Sequence, residues 1–211
     1  TGDFTPSWCI TVMRFWLLGL ALLLLSSCVT SPPKHVDNIC KIFEEKDGWY
    51  DDAKQSSKEW GTAIYTMMAI MHQESRFQPK AKPPRTKILW IIPGPRASSA
   101  YGFPQAKDST WDWYIDSSGN WGADRDDFSD AIDFVGWYSA ISYKRSKIKR
   151  NDTYHLYLAY HEGHGGFNRR SYNSKKWLTQ VAHKVSAKAN TYKRQLNSCR
   201  DRLESDGWWF F

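Results

Sequence analysis

The stretch IYTMMAIMHQESRFQP, residues 64 to 79, begins as a core helix and ends on a charge. Ile64, Met67 and Met71 recur at intervals of three and four, the spacing of one face of an α-helix. Three residues further on, the same face presents Glu74. Apolar surroundings disfavour the charged form of a carboxyl and push its pKa toward neutrality. An acid still protonated near pH 7 can donate a proton to a leaving oxygen and later take one back, as cleavage of a glycosidic bond requires. HQESRF by itself leaves a second reading open, a glutamate solvated at the helix end or held by Arg76.

Helical spacing extends to both sides of this stretch. Val36, Cys40 and Phe43 share one face of a short helix, and 57–74 is expected as a single helix. Further helices are expected over 105–116, 127–147 and 153–160, the last stopping at the glycines of HEGHGG. Trp177, Val181, Val185, Ala189, Tyr192, Leu196, Cys199 and Leu203 form a stripe that predicts a long helix over about 174–204. Between 78 and 99 five prolines interrupt the pattern, and a long loop or lid is expected. No strand pattern competes. The 211 residues therefore read as one all-α domain, 38–205, with flanking N- and C-terminal helices.

Composition narrows the partners. Twelve Trp, eleven Tyr and ten Phe imply heavy packing or a groove that stacks flat rings such as sugars. The formal charge of +7 favours an anionic polymer or membrane surface. There is no zinc-finger spacing, no RNA-binding aromatic signature and no dense basic run, so no nucleic-acid partner is expected.

MRFWLLGLALLLLSSC, residues 13 to 28, has one arginine, an apolar run and small residues ending in cysteine. That is the layout of a secretory signal, too short for a membrane span. Its LSSC end resembles a bacterial lipoprotein box, which implies a signal peptide over 13–27 and a lipidated Cys28 heading the mature chain. Residues 1–12 are expected to lie upstream of the true start and 28–37 to form a tether, while the aromatic tail 206–211 reads either as a docking surface or as Trp208 and Trp209 folded back onto the domain. Val29 is not the aspartate that retains lipoproteins in the inner membrane, which favours an outer-membrane lipoprotein facing the periplasm. Cys9 lies ahead of the mature chain and Cys28 carries lipid, so Cys40 and Cys199 remain. Exported into an oxidising compartment, these two are expected to form a disulfide.

Three blocks in order carry a resemblance: ESRF at 74–77, AYGFPQAKDST at 100–110 and AYHEGHGGF at 159–167. Over about 61–167 the chain resembles the soluble lytic transglycosylases, whose pattern is roughly E-S-x-F, G-A-x-G-L-M-Q-x-x-P-x-T and A-Y-N-x-G-x-G. The resemblance implies a goose-type lysozyme-like fold, peptidoglycan glycan strands as substrate, and no cofactor. Glu74 takes the place of the catalytic acid. Ala100, Gly102, Gln105 and Thr110 match the second block, and Ala159, Tyr160, Gly163 and Gly165 the third. The departures are a longer loop between the first two blocks, Phe103-Pro104 for Leu-Met, Asp108 for the proline and His161 for the asparagine.

Roles follow from the same resemblance. Glu74 protonates the oxygen leaving N-acetylmuramic acid C1, then deprotonates that sugar's C6 hydroxyl, which closes a 1,6-anhydro ring without water. Tyr160 is expected to hold the Glu74 carboxyl, Gln105 and His161 to contact glycan, and Gly102 to let the sugar come close. Ser75 and Tyr101 complete the expected binding set. Trp111 and Trp113 belong to the groove or, more in keeping with any one aromatic, to the core. HEGH at 161–164 lacks the H-E-x-x-H spacing of a metalloprotease helix, so no metal is expected. The rival reading is a non-catalytic wall-binding lipoprotein within an envelope-spanning secretion machine.

Overall fold

The computed structural model describes residues 31–88 and 92–206. The expected leader, the expected lipidation site Cys28 and all but the first residue of the aromatic tail lie outside them. Within them the chain forms seven helices: α1 Ile39–Glu45, α2 Trp49–Trp60, α3 Ile64–Ser75, α4 Asp108–Ser118, α5 Phe128–Ser146, α6 Thr153–Asn168 and α7 Lys176–Asp206. A 3-10 turn, Ser171–Ser174, leads into α7, and two strands, β1 Arg85–Ile88 and β2 Ile92–Arg96, lie between α3 and α4. The fold is all-α apart from that ribbon.

α3 is the centre. Met67, Met68, Ala69, Ile70 and Met71 are all fully buried, so the helix is enclosed on every side rather than along the one face its spacing suggested. α7 packs against it on one flank and α5 on another. Unbranched methionines suit this position because they fill irregular gaps between several neighbours.

The expected helix 57–74 is two helices. Gly61 closes α2 in the left-handed region (φ 70°), its N–H bonding Ser57 O at 2.9 Å, and the chain restarts at Ile64. α2 then lies close on α5. Ser56 Oγ donates to Ile132 O at 3.1 Å and Trp60 Nε1 to Asp133 Oδ1 at 2.6 Å. The contact needs glycine at 136, where a Cβ would lie 2.4 Å from Ser56 Oγ.

α7 buries Leu178, Ala182, Val185, Ala189, Tyr192, Leu196 and Cys199, spaced by four and three throughout. The stripe read from sequence departs from this at its start. It used two successive steps of four, 177 to 181 to 185, which rotate around a helix by about 80° and carry the first residue off the seam. Trp177 is accordingly 54% exposed, and Leu178 takes the inward place.

α1 is fastened across α7 by the disulfide Cys40–Cys199, with Cα atoms 6.1 Å apart. Around it Ile39 N–H donates to Gln195 Oε1 at 3.0 Å, Gln195 Nε2 to Asp37 O at 3.2 Å, and the Tyr192 hydroxyl to Val36 O. The segment expected as a tether, 28–37, is thus held to the domain over its described part, with Pro33 buried.

The proline-rich interruption is more ordered than a loop. β1 and β2 pair antiparallel with Arg85 opposite Arg96, Lys87 opposite Pro93 and Ile88 opposite Ile92. Pro93 and Pro95 cannot donate to a ladder, but a two-stranded ribbon has outer edges where no donor is needed. Thr86 Oγ1 adds a bond to Pro95 O at 2.8 Å.

Candidate active site

Glu74 occupies the last turn of α3. Beyond it Arg76 (φ 52°) and Phe77 (φ 60°) place two non-glycine residues in succession in the left-handed region, a costly turn that buried packing must hold. The Phe77 ring supplies that hold, fully buried beside Trp49. Trp49 also stacks on Phe128 at 3.7 Å and meets Phe103 edge-on at 5.6 Å. One aromatic cluster therefore pins the segment after Glu74 and the segment after Gly102 to the same point.

The second segment is tied by its backbone. Gly102 (φ 75°) donates to Ala81 O at 3.0 Å and Phe103 N–H to Arg125 O at 2.9 Å. A Cβ at Gly102 would lie 2.0 Å from the Arg125 carbonyl oxygen. The close approach made there is by protein backbone, whereas a sugar was expected. Gln105 (φ 51°) spends its amide nitrogen on Ala81 O and Gly102 O, each at 2.9 Å.

The third segment lies on α6. That helix was expected to stop at its glycines, yet it continues to Asn168 across a single break at Gly163 (φ 71°, ψ 158°). A glycine accepts this conformation, and the break lets His161, Glu162 and Gly163 all reach one cavity.

The three segments enclose about 360 Å³, with Glu74, Gln105, Thr110, Tyr138, Tyr160, His161 and Glu162 among the lining residues and Phe134 as an apolar wall. Burial pushes the Glu74 carboxyl up to about 7, and a hydrogen bond with the Tyr157 hydroxyl opposes the rise. Glu162 behaves oppositely. Burial disfavours its charge, but hydrogen bonds from Lys175, Ser171 and His161 outweigh that and hold it down at about 2. Lys175 Nζ lies 2.7 and 3.0 Å from its two oxygens, His161 Nδ1 3.1 Å from one, and the Ser171 hydroxyl donates to the other. Near neutrality the cavity thus holds one carboxyl able to carry a proton and one that stays ionised.

The expected site residues divide. Glu74, Gln105, Tyr160 and His161 meet in the cavity, with Gly102 supporting it from behind. Ser75 is buried and bonds Met71 O at 3.3 Å. Tyr101 reaches Asp126 Oδ2 at 3.0 Å, its ring flanked by Lys82 and Arg125. Trp111 is buried, and Trp113 lies partly buried under Arg145. Tyr160 donates to Pro104 O at 2.6 Å, bracing the second segment, so the contact to Glu74 falls to Tyr157 one turn earlier. In the HEGH segment His164 is engaged apart from His161, bonding Ser142 Oγ at 2.9 Å and stacking on Tyr138.

Tyr157, Glu162 and Lys175 escaped the sequence reading. Tyr157 was legible in principle, because residues three apart on a helix share a face. Tyr157→Phe removes the hydroxyl that favours the carboxylate, so Glu74 is expected to titrate higher than in wild type. Carbon-13 NMR of the Glu74 carboxyl measures this directly; an unchanged titration would remove Tyr157 from the site.

A larger cavity of about 470 Å³ lies elsewhere, lined by Asp52, Glu59, Asp130 and Asp133 among others. Burial, then the nearby carboxylates Asp127, Asp51 and Asp130, raise Asp52 to about 6. It shares no residue with the three motif segments.

The family model of the transglycosylase SLT domain matches residues 16–199. No curated protein matches the chain.

Proposed function

The chain belongs to the transglycosylase SLT-domain family, and on that premise we propose that it is a peptidoglycan lytic transglycosylase with Glu74 as its single acid and base. The observation that carries this reading is an acid raised to about 7 inside a cavity built by all three motif segments. Protonated Glu74 gives its proton to the glycosidic oxygen as the bond from N-acetylmuramic acid C1 breaks. The resulting carboxylate then takes the proton from that sugar's C6 hydroxyl, whose oxygen closes on C1. The acid is restored in one cycle and no water is consumed.

Glu162 is no second catalyst in this reading. Retaining glycosidases use a carboxylate nucleophile, and a nucleophile needs a free lone pair aimed at the sugar. Both Glu162 oxygens are taken by Lys175, and further by His161 and Ser171. Its charge is neutralised where it lies.

The leader and Cys28 support an outer-membrane lipoprotein facing the periplasm, where an anchored enzyme of net charge +7 meets an anionic wall. The test is digestion of purified sacculi by the mature protein, with the products weighed by mass spectrometry. Muropeptides one water lighter than hydrolysis products are expected. Reducing-end products would make the enzyme a lysozyme, and a folded protein that binds sacculi but releases nothing would leave the wall-binding secretion component.

A further inference from the structure

At the rim of the Glu74 cavity an aromatic corner joins α6 to α7. Among the described residues Trp177 is one of the few large apolar side chains left in the open, 54% exposed although its neighbour Leu178 is fully buried. Its ring meets the His161 ring edge-on, with centroids 5.2 Å apart. His161 lines the cavity itself, so the exposed indole adjoins the space in which Glu74 works.

The corner is braced. Glu162, whose side chain is only 4% exposed, accepts from His161 Nδ1 at 3.1 Å and from Lys175 Nζ at 2.7 Å. Those two bonds tie the kink of α6 to the residue just before α7. With Nδ1 engaged by the carboxylate, Nε2 is the ring nitrogen left to meet a ligand. Lys175 is occupied by Glu162, so the corner offers a flat apolar face and one polar ring nitrogen. That pairing suits a pyranose, which presents a C–H face to an aromatic ring and hydroxyls or an amide at its edge.

We propose that Trp177 and His161 form a subsite for one N-acetylated sugar of the glycan strand, at the rim of the Glu74 cavity, with Glu162 as its positioning residue. The inference rests on the transglycosylase reading of the site. It assigns a binding role to Trp177, which lies outside the three motif blocks and which the helical stripe had placed in the core.

Binding is to be measured in the Glu74→Gln background, so that the strand stays intact. The probes are the N-acetylglucosamine tetramer and glycan strands stripped of their peptides, titrated while the nitrogen-15 indole signal of Trp177 is followed. That signal is identified by its loss in Trp177→Phe. The Trp177 indole is expected to shift on binding, and Trp177→Ala is expected to weaken Kd about tenfold, the equivalent of about 1.4 kcal/mol. Trp177→Phe should lose less, and neither change should move the melting temperature, because the side chain is exposed. In the active enzyme Trp177→Ala should raise KM more than it lowers kcat, as loss of uniform binding does. An unchanged Kd and KM in Trp177→Ala would overturn the subsite and leave the transglycosylase reading standing. Failure of the folded wild type to bind or cleave strands at all would overturn both.

Discussion

Glu74→Gln is expected to lower anhydromuropeptide release by about a thousandfold or more, the scale on which a positioned acid and base contribute. The amide has nearly the same shape and keeps its place in the cavity, but it can neither give nor take the proton. The same substitution should also stabilise the fold in a pH-dependent way. Burial raises the carboxyl from 4.5 to about 7 in the folded protein. As pH rises through that window the unfolded chain ionises first, so wild type has its full relative stability below about 4.5 and loses it progressively up to about 7. The full difference corresponds to about 3 kcal/mol, and partial contact with solvent reduces the expected gain to about 1–3 kcal/mol. Melting curves of the two proteins should converge near about pH 4 and separate at about pH 8, with Glu74→Gln the higher. Curves that stay together at both values would show that Glu74 is not held out of water, and the argument for a protonated acid would fail with it.

The helical outline was legible because amphipathic spacing survives in most of α7, where one face is buried and the other wet; α5, buried at every residue from 134 to 140, keeps little of it. It was less informative at α3, whose sequence suggested one apolar face though five successive residues are enclosed. Position along a seam cannot reveal that a helix is surrounded, because that depends on which other helices arrive. The strand pair 85–88 and 92–96 was missed for a related reason: its strands are short, one of them proline-bearing, and their pairing is fixed by a partner strand rather than by a period. In the site, Glu74 was legible from a charge following an apolar run. Glu162 was not, since its meaning comes from Lys175, thirteen residues on and brought back by the 3-10 turn. Gly102 shows a further limit. Its glycine was foreseen, but the atom that demands it is the Arg125 carbonyl, a contact that no motif spacing encodes.

Reduction of the Cys40–Cys199 bond is expected to lower the melting temperature by about 6–12 °C, the second-largest effect the structure implies. The bond joins α1 to α7 across a sequence separation of 159, and the loop it closes contains Glu74 and all three motif segments. In the loop-entropy account a cross-link of that span destabilises the unfolded chain by roughly 5 kcal/mol. Part of that gain duplicates contacts that hold α1 to α7 in any case: Ile39 and Asp37 with Gln195, Val36 with Tyr192, and Lys188 with Asp37. About 3 kcal/mol is therefore the expected loss, and α1 should loosen before the helices around the cavity do. Neither cysteine lines that cavity. The double variant Cys40→Ala/Cys199→Ala should accordingly keep its activity at moderate temperature while melting early. Thiol titration of the denatured, unreduced mature domain should find neither Cys40 nor Cys199 reactive. Two reactive thiols there, or a melting point indifferent to reductant, would show that α1 is held by its packing alone.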